Sequence, residues 1–171
     1  MVKHGFWYLV CSDLRAKSEW LYGSVTLGNV FKAFLTDGTY AMVVYRLMQS
    51  MRRLHLGPLV MLFNKLNVLG GCIMGRGAEF GPGFVLIHSN GVVINSSVRG
   101  GARVFLEHQV TIGAEKEAAP VLGDDVFIGA GAKILGDVRI GNNVKIGANA
   151  VVITDIPDGA TAVGVPARVV A

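Results

Sequence analysis

"VFIGAGAKILGDVRIGNNVKIGANAVV", residues 126–152, places a large aliphatic residue at every sixth position: Ile128, Ile134, Ile140, Ile146 and Val152. Glycine follows three of them directly, at Gly129, Gly141 and Gly147. The count extends backwards without changing step, through Leu122, Lys116, Val110, Val104, Val98, Val92 and Leu86 to Phe80. Only Lys116 breaks the apolar series. Small residues recur four positions after the aliphatic one, at Ala102, Ala114, Ala132 and Ala150.

A strict short repeat fixes architecture before any propensity is weighed. Six residues make one short strand and one turn. Each strand points a large side chain inward, a glycine or small residue permits the corner, and three sides close a coil of about 18 residues. The pattern therefore predicts a mainly β chain, a left-handed parallel β-helix. Simple counting stacks Leu86, Val104, Leu122 and Ile140 in one column and Val92, Val110, Ile128 and Ile146 in another. Lys116, a charge in a core slot, predicts that "GAEKEAAP" loops out of the wall, where a substrate contact is natural.

The N-terminal part has a different period. In "DGTYAMVVYRLMQSMRRL", residues 37–54, Met42, Tyr45 and Met48 with Val43 and Leu47 fall at helical spacing. Arg46, Arg52 and Arg53 read as its polar positions, and Asp37 or Thr39 as its cap. A second apolar helix follows in "PLVMLFNKLNVL", with Pro58 in its first turn and Gly70-Gly71 at its end. The expected organisation is a helical region over 1–71, a β-helix over 72–157 and a closing segment over 158–171. Both helices are apolar enough to need cover from each other, the β-helix or another subunit, and a shallow membrane contact is an alternative.

Composition narrows the function classes. No stretch reaches the roughly 20 uninterrupted apolar residues of a spanning helix. "FWYLVC" is short for a signal-peptide core and runs straight into Asp13 and Arg15, so the expected location is cytoplasmic, at most peripheral at the inner membrane face. Residues 1–76 hold nine Lys/Arg against three Asp/Glu, but no nucleic-acid module accompanies them. Cys11 and Cys72 form neither a disulfide framework nor a metal spacing and read as reduced structural thiols. His4, His55, His88 and His108 are scattered, with no Cys or carboxylate completing a metal site.

His88 stands alone in "LIHSNGVVIN", residues 86–95. From its neighbours alone, a corner histidine bonded to a backbone carbonyl is the ordinary reading. "IHSNGVVIN", "VTIG", the opening 27-residue stretch and the closing "IPDGATAVGVPARVV" together resemble the hexapeptide-repeat acyltransferases, within them the serine acetyltransferase branch. The similarity covers residues 73–170 closely and the helical part more loosely through "FLTDGTYAMVVYRL".

The resemblance implies acetyl transfer from acetyl-CoA to a hydroxyl, without a metal, on a homotrimer or a larger assembly formed through the N-terminal helices. His88 would be the general base, which suits a side chain that titrates near neutrality. His108 and Glu107 stack on the next coil beside residues 88–90, and with Asn90 they are candidates for the acceptor site or for assisting His88. A corner role for His108 is equally compatible. Gly113, Ala130 and Ala148 would meet the pantetheine arm, and Lys145 and Arg168 the nucleotide phosphates; exposed cations on a coil surface are the ordinary alternative for that pair.

The chain departs from the branch where the branch binds serine. The acidic residue before the catalytic histidine is Ile87, the acid about fifteen residues earlier is Ile73, and the Arg-His pair of the protruding loop is replaced by Ala118 and Ala119 before Pro120. Uncharged side chains do not hold a desolvated ammonium and carboxylate. These departures, with "DLRA" at 13–16, resemble short relatives associated with exopolysaccharide and colanic-acid synthesis. The expected acceptor is therefore a sugar hydroxyl of a glycan; L-serine, and a non-catalytic β-helix, are the alternatives.

Overall fold

The computed structural model describes residues 4–115 and 118–170. Four helices precede the β-helix: α1 (Phe6–Tyr22), α2 (Leu27–Leu35), α3 (Thr39–Arg53) and α4 (Gly57–Leu69). Among the described residues fifteen short strands follow: β1 (Ile73–Met74), β2 (Glu79–Phe80), β3 (Val85–Leu86), β4 (Val93–Ile94), β5 (Arg99–Gly100), β6 (Phe105–Leu106), β7 (Thr111–Gly113), β8 (Val121–Leu122), β9 (Phe127–Ile128), β10 (Lys133–Leu135), β11 (Arg139–Ile140), β12 (Lys145–Ile146), β13 (Val151–Val152), β14 (Thr161–Val163) and β15 (Arg168–Val170). They stack into three sheets, ordered β1-β4-β7-β10-β13, β11-β8-β5-β2 and β15-β14-β12-β9-β6-β3. All the pairings are parallel except β14 with β15, which closes the third sheet. This is the triangular β-helix that the repeat predicts.

The columns differ from the counted ones. On the first face Met74, Ile94, Ile112, Ile134 and Val152 stack; on the third, Leu86, Leu106, Ile128, Ile146 and Ala162. Leu86 thus lies over Leu106 and not over Val104. Each side of the coil buries two positions, the inward residue and the one two places before it; Val104 and Leu106 are both fully buried. The corner after Leu86 holds two extra residues, so the six-residue count slides onto the earlier of the two buried positions. The excursion between Ile112 and Leu122 holds four extra residues and restores the phase. Two and four sum to one repeat, so the six-residue count returns to phase at Leu122 and only Lys116 marks the interruption. Gly100 occupies one inward slot because the Phe80 ring leans over it, where a Cβ would stand.

The excursion is pinched by a bridge between Glu115 and Ala118. Lys116, the residue that predicts it, lies outside the described residues.

The helices cap the open first coil. Met42, Tyr45 and Met48 join the β-helix core, and the Tyr45 hydroxyl donates to the Ala78 carbonyl and accepts from Phe80 N–H, both at 3.1 Å. Arg46, expected on a polar face, is completely buried. Its guanidinium forks onto Asp13 at 2.7 and 2.9 Å and donates to the Phe80 and Gly81 carbonyls. Asp13 in turn accepts from Phe84 N–H. Neither predicted cap operates on α3: its cap is Gly38, with no side-chain bond, and Asp37 and Thr39 are engaged elsewhere. Trp20 at the end of α1 packs its ring on Phe105 and Phe127 of the third sheet. Among the described residues, no helix is long and apolar enough to cross a membrane.

Candidate active site

β3 ends at Leu86, and the longer corner that follows sorts its residues by face. Ile87 remains in the wall at 5% exposure, its N–H bonded to the Leu106 carbonyl. His88 turns outward, its side chain 53% exposed. Gly91, at φ +71°, completes the turn, and the Asn90 carbonyl accepts from Gln109 N–H on the next coil.

His88 is not alone at this corner. Its Nδ1 lies 2.9 and 3.1 Å from the two carboxylate oxygens of Asp37, which sits in the link between α2 and α3. An ionised carboxylate only accepts hydrogen bonds, so the neutral imidazole that makes this contact carries its proton on Nδ1 and keeps the lone pair of Nε2 free. Among the described residues nothing hydrogen-bonds to Nε2. Gly38 allows the link to come this close: it has φ +77°, and a Cβ there would run into the Leu86 carbonyl. Lys17 of α1 reaches the same place, donating to the Asp37 carbonyl, to Thr39 Oγ1 at 3.1 Å and to the Leu86 carbonyl at 2.9 Å.

The residues singled out by sequence separate into groups. His108 is one coil away, its ring centroid 6.0 Å from that of His88 and nearly perpendicular to it. Glu107 turns toward His108, at 3.6 Å from its Nδ1, beyond a good hydrogen bond. Asp37, not Glu107, is the acid on His88. No spacing connects Asp37 and His88, 51 residues apart, and the Asp-Gly pair in front of a helix reads as a cap.

Corners stack as strands do. The Asn90 carbonyl accepts from Gln109 N–H, the His108 carbonyl from Gly131 N–H, and the Ala130 carbonyl from Asn149 N–H. One edge of the prism thus carries His88, His108, Ala130 and Ala148 on successive coils, spaced about 4.8 Å apart. Gly113 closes β7 (Thr111–Gly113) at the end of the strand away from this edge, beside Leu135, and Lys145 precedes the edge in β12 (Lys145–Ile146). Arg168, in β15, lies two strands beyond Lys145 in the same sheet, and both side chains are exposed. Cys72 is walled in, and burial pushes its thiol up to about 12, which removes it as a nucleophile near neutral pH. No His/Cys/Asp/Glu cluster able to hold a metal occurs among the described residues.

A family model described as "Bacterial transferase hexapeptide (six repeats)" matches residues 119–154. The serine acetyltransferase of Helicobacter pylori strain J99 is 36% identical over 141 residues, which span 80% of this chain and 82% of that protein. The chain belongs to the serine acetyltransferase family. Members of this family are acyltransferases, as the repeat and the His88 segment imply. The solved serine acetyltransferase of Neisseria gonorrhoeae shares the fold with a TM-score of 0.87 and 31% identity, over 97% of this chain but only 65% of that one. That of soybean, complexed with serine, gives 0.86 and 32%, over 96% of this chain and 69% of that one. A serine acetyltransferase complex with CoA gives 0.82 and 30%, over 94% and 68%.

In this chain the position before His88 is an apolar wall residue, Ile87. The acid of this chain comes instead from the helical layer, through Asp37.

Proposed function

We propose that this chain is an acetyl-CoA-dependent O-acetyltransferase whose acceptor is the hydroxyl of L-serine and whose general base is His88. The observation that carries the reading is the Asp37–His88 pair at the β-helix edge. A hydroxyl is a weak nucleophile at neutral pH and requires a base at hydrogen-bond distance. With Nδ1–H held by Asp37, Nε2 takes the hydroxyl proton while the oxygen attacks the thioester carbonyl. The tetrahedral adduct collapses, the C–S bond breaks, and Nε2–H returns the proton to the departing sulfur. The products are the acetyl ester and free CoA.

Ala130 and Ala148 keep the edge beyond His108 clear of large side chains, which suits close approach of a pantetheine arm, and Gly113 stands across the first sheet from them. Lys145 and Arg168 stand further along the same side and suit its phosphates. His88 and Asp37 are both more than half exposed in the single chain. A homotrimer in which a neighbouring β-helix walls this edge would exclude water from them.

L-serine is favoured over the saccharide expected from the sequence on two grounds. The similar proteins are serine acetyltransferases, and one of them is matched over most of its length. Asp37 also restores an acid to the histidine, which removes one of the departures that spoke against serine. A second reading, a glycan hydroxyl, rests on Ile73, Ile87, Ala118 and Ala119, none of which can hold an ammonium or carboxylate. The test is release of CoA from acetyl-CoA by the purified protein, with L-serine in one arm, a panel of sugars and glycan intermediates in the other, and His88→Ala in both. Serine-dependent release lost in the variant is the expected result. Release with saccharides alone would transfer the assignment to the second reading, and no release with any acceptor would refute both.

A further inference from the structure

We infer that Lys17 is a positioning residue for the His88 base, pinning the link that carries Asp37 to the strand that carries His88. Its side chain is completely buried, and its three acceptors are the Asp37 carbonyl, the Thr39 hydroxyl and the Leu86 carbonyl. The first belongs to the acid itself, and the last lies two residues before the base. An ammonium has three donors, and all three are used. Thr39 is oriented to accept because its own hydroxyl donates to the Ala33 carbonyl at 2.8 Å.

Burying an ammonium is costly, and an apolar side chain of similar length would fill the space without that cost. What the charge adds is a fixed geometry. Among the described residues, no backbone hydrogen bond joins residues 36–38 to residues 86–88. Lys17 and the Asp37–His88 contact are the polar ties between the two segments. The carboxylate is 62% exposed and open to competition from water, so its place beside Nδ1 depends on the backbone that carries it. Gly38, flat against the Leu86 carbonyl, makes the close approach possible, and Lys17 holds it.

The kinetic part of this inference rests on the proposed function, but its central test does not. Lys17→Met, Asp37→Ala and the double variant would be compared with the wild type by nitrogen-15 NMR of the neutral His88 imidazole, and by kcat and KM with acetyl-CoA and L-serine. In the wild type the Nδ1–H tautomer should dominate. Asp37→Ala and Lys17→Met should both shift the population toward Nε2–H. Lys17→Met should lower kcat about 10- to 100-fold, the scale of a base moved out of line, with KM for acetyl-CoA within about twofold of the wild type. In the Asp37→Ala background it should cost nothing more. A wild-type tautomer ratio in Lys17→Met, or kcat losses that add in the double variant, would overturn the inference. If Lys17→Met does not fold, Thr39→Val removes one acceptor and should give a smaller shift in the same direction; an unchanged ratio there would overturn it equally. A tautomer shift in a protein that acetylates no acceptor would refute the proposed function and leave the positioning role standing.

Discussion

At the corner between β3 and β4, His88 turns outward while Ile87 stays in the wall, as His108 turns outward at the matching corner of the next coil. Nε2 is then the only imidazole nitrogen that can take a proton from an acceptor, because Nδ1 faces Asp37. Replacing His88 with Ala should reduce acetyl transfer at least about 100-fold, in the range usual for a lost general base, with KM for acetyl-CoA little changed; steady-state CoA release measures it. Asp37→Ala should cost less, about 10- to 100-fold, because the imidazole survives with its tautomer unfixed. His88 was legible in the sequence through its segment. Asp37 was not, because a contact 51 residues apart leaves no periodic trace and a local capping role accounts for an aspartate before a helix equally well. Lys17 was illegible for the same reason: a lysine on an amphipathic helix reads as a solvated one until the layer beneath it is known.

The elements meet through one buried ion pair. Arg46 of α3 and Asp13 of α1 clasp each other and the first coil, through the Phe80 and Gly81 carbonyls and Phe84 N–H. Burial pushes the Asp13 carboxyl up, against the pull of Arg46. A pair of this kind adds little net stability compared with apolar packing but is expensive to break. Arg46→Met should therefore destabilise the fold by about 3–5 kcal/mol, since it strands Asp13 without a partner; the midpoint of urea unfolding reads this out. The helix that carries Arg46 was predictable from spacing, as was its need for apolar cover; α1, which carries Asp13, was not read from spacing. The charges between them were not: Arg46 fits the polar rhythm of its helix, and only the Asp13 carboxylate across the interface makes its burial possible. The β-helix shows the complementary limit. Its six-residue period survives an insertion of two and an excursion of four because both buried positions on each side accept the same aliphatic residues.

Across the whole molecule, the helical layer and the β-helix are fastened by groups whose ionisation is tied to folding, and alkaline pH should expose that link. Burial lowers the Lys17 ammonium to about 8, against an opposing pull from Asp37, whereas an unfolded chain returns it to its ordinary 10.5. Below pH 8 both states hold the proton, and the cost of burying the charge is present in full. Between about pH 8 and 10 the unfolded state binds more protons than the folded one, so this group makes stability rise with pH. Above pH 10 Tyr45 acts in the opposite direction, because burial holds its phenol up to about 12 while the unfolded phenol ionises near 10. The unfolding free energy of the wild type minus that of Lys17→Met should therefore increase from pH 8 to pH 10; the Tyr45 contribution, which sets in as the unfolded phenol ionises toward pH 10, is common to both proteins and cancels in the difference. Urea unfolding of both proteins at half-unit intervals measures the difference directly. A difference that stays flat over this interval would mean that Lys17 loses its proton at the same pH folded and unfolded, and hence that its ammonium is not buried against α3 and β3. If activity falls across the same interval while stability rises, the two effects share one cause: a neutral amine no longer has three donors for the Asp37, Thr39 and Leu86 oxygens, and the link that presents Asp37 to His88 loosens as the buried charge is relieved.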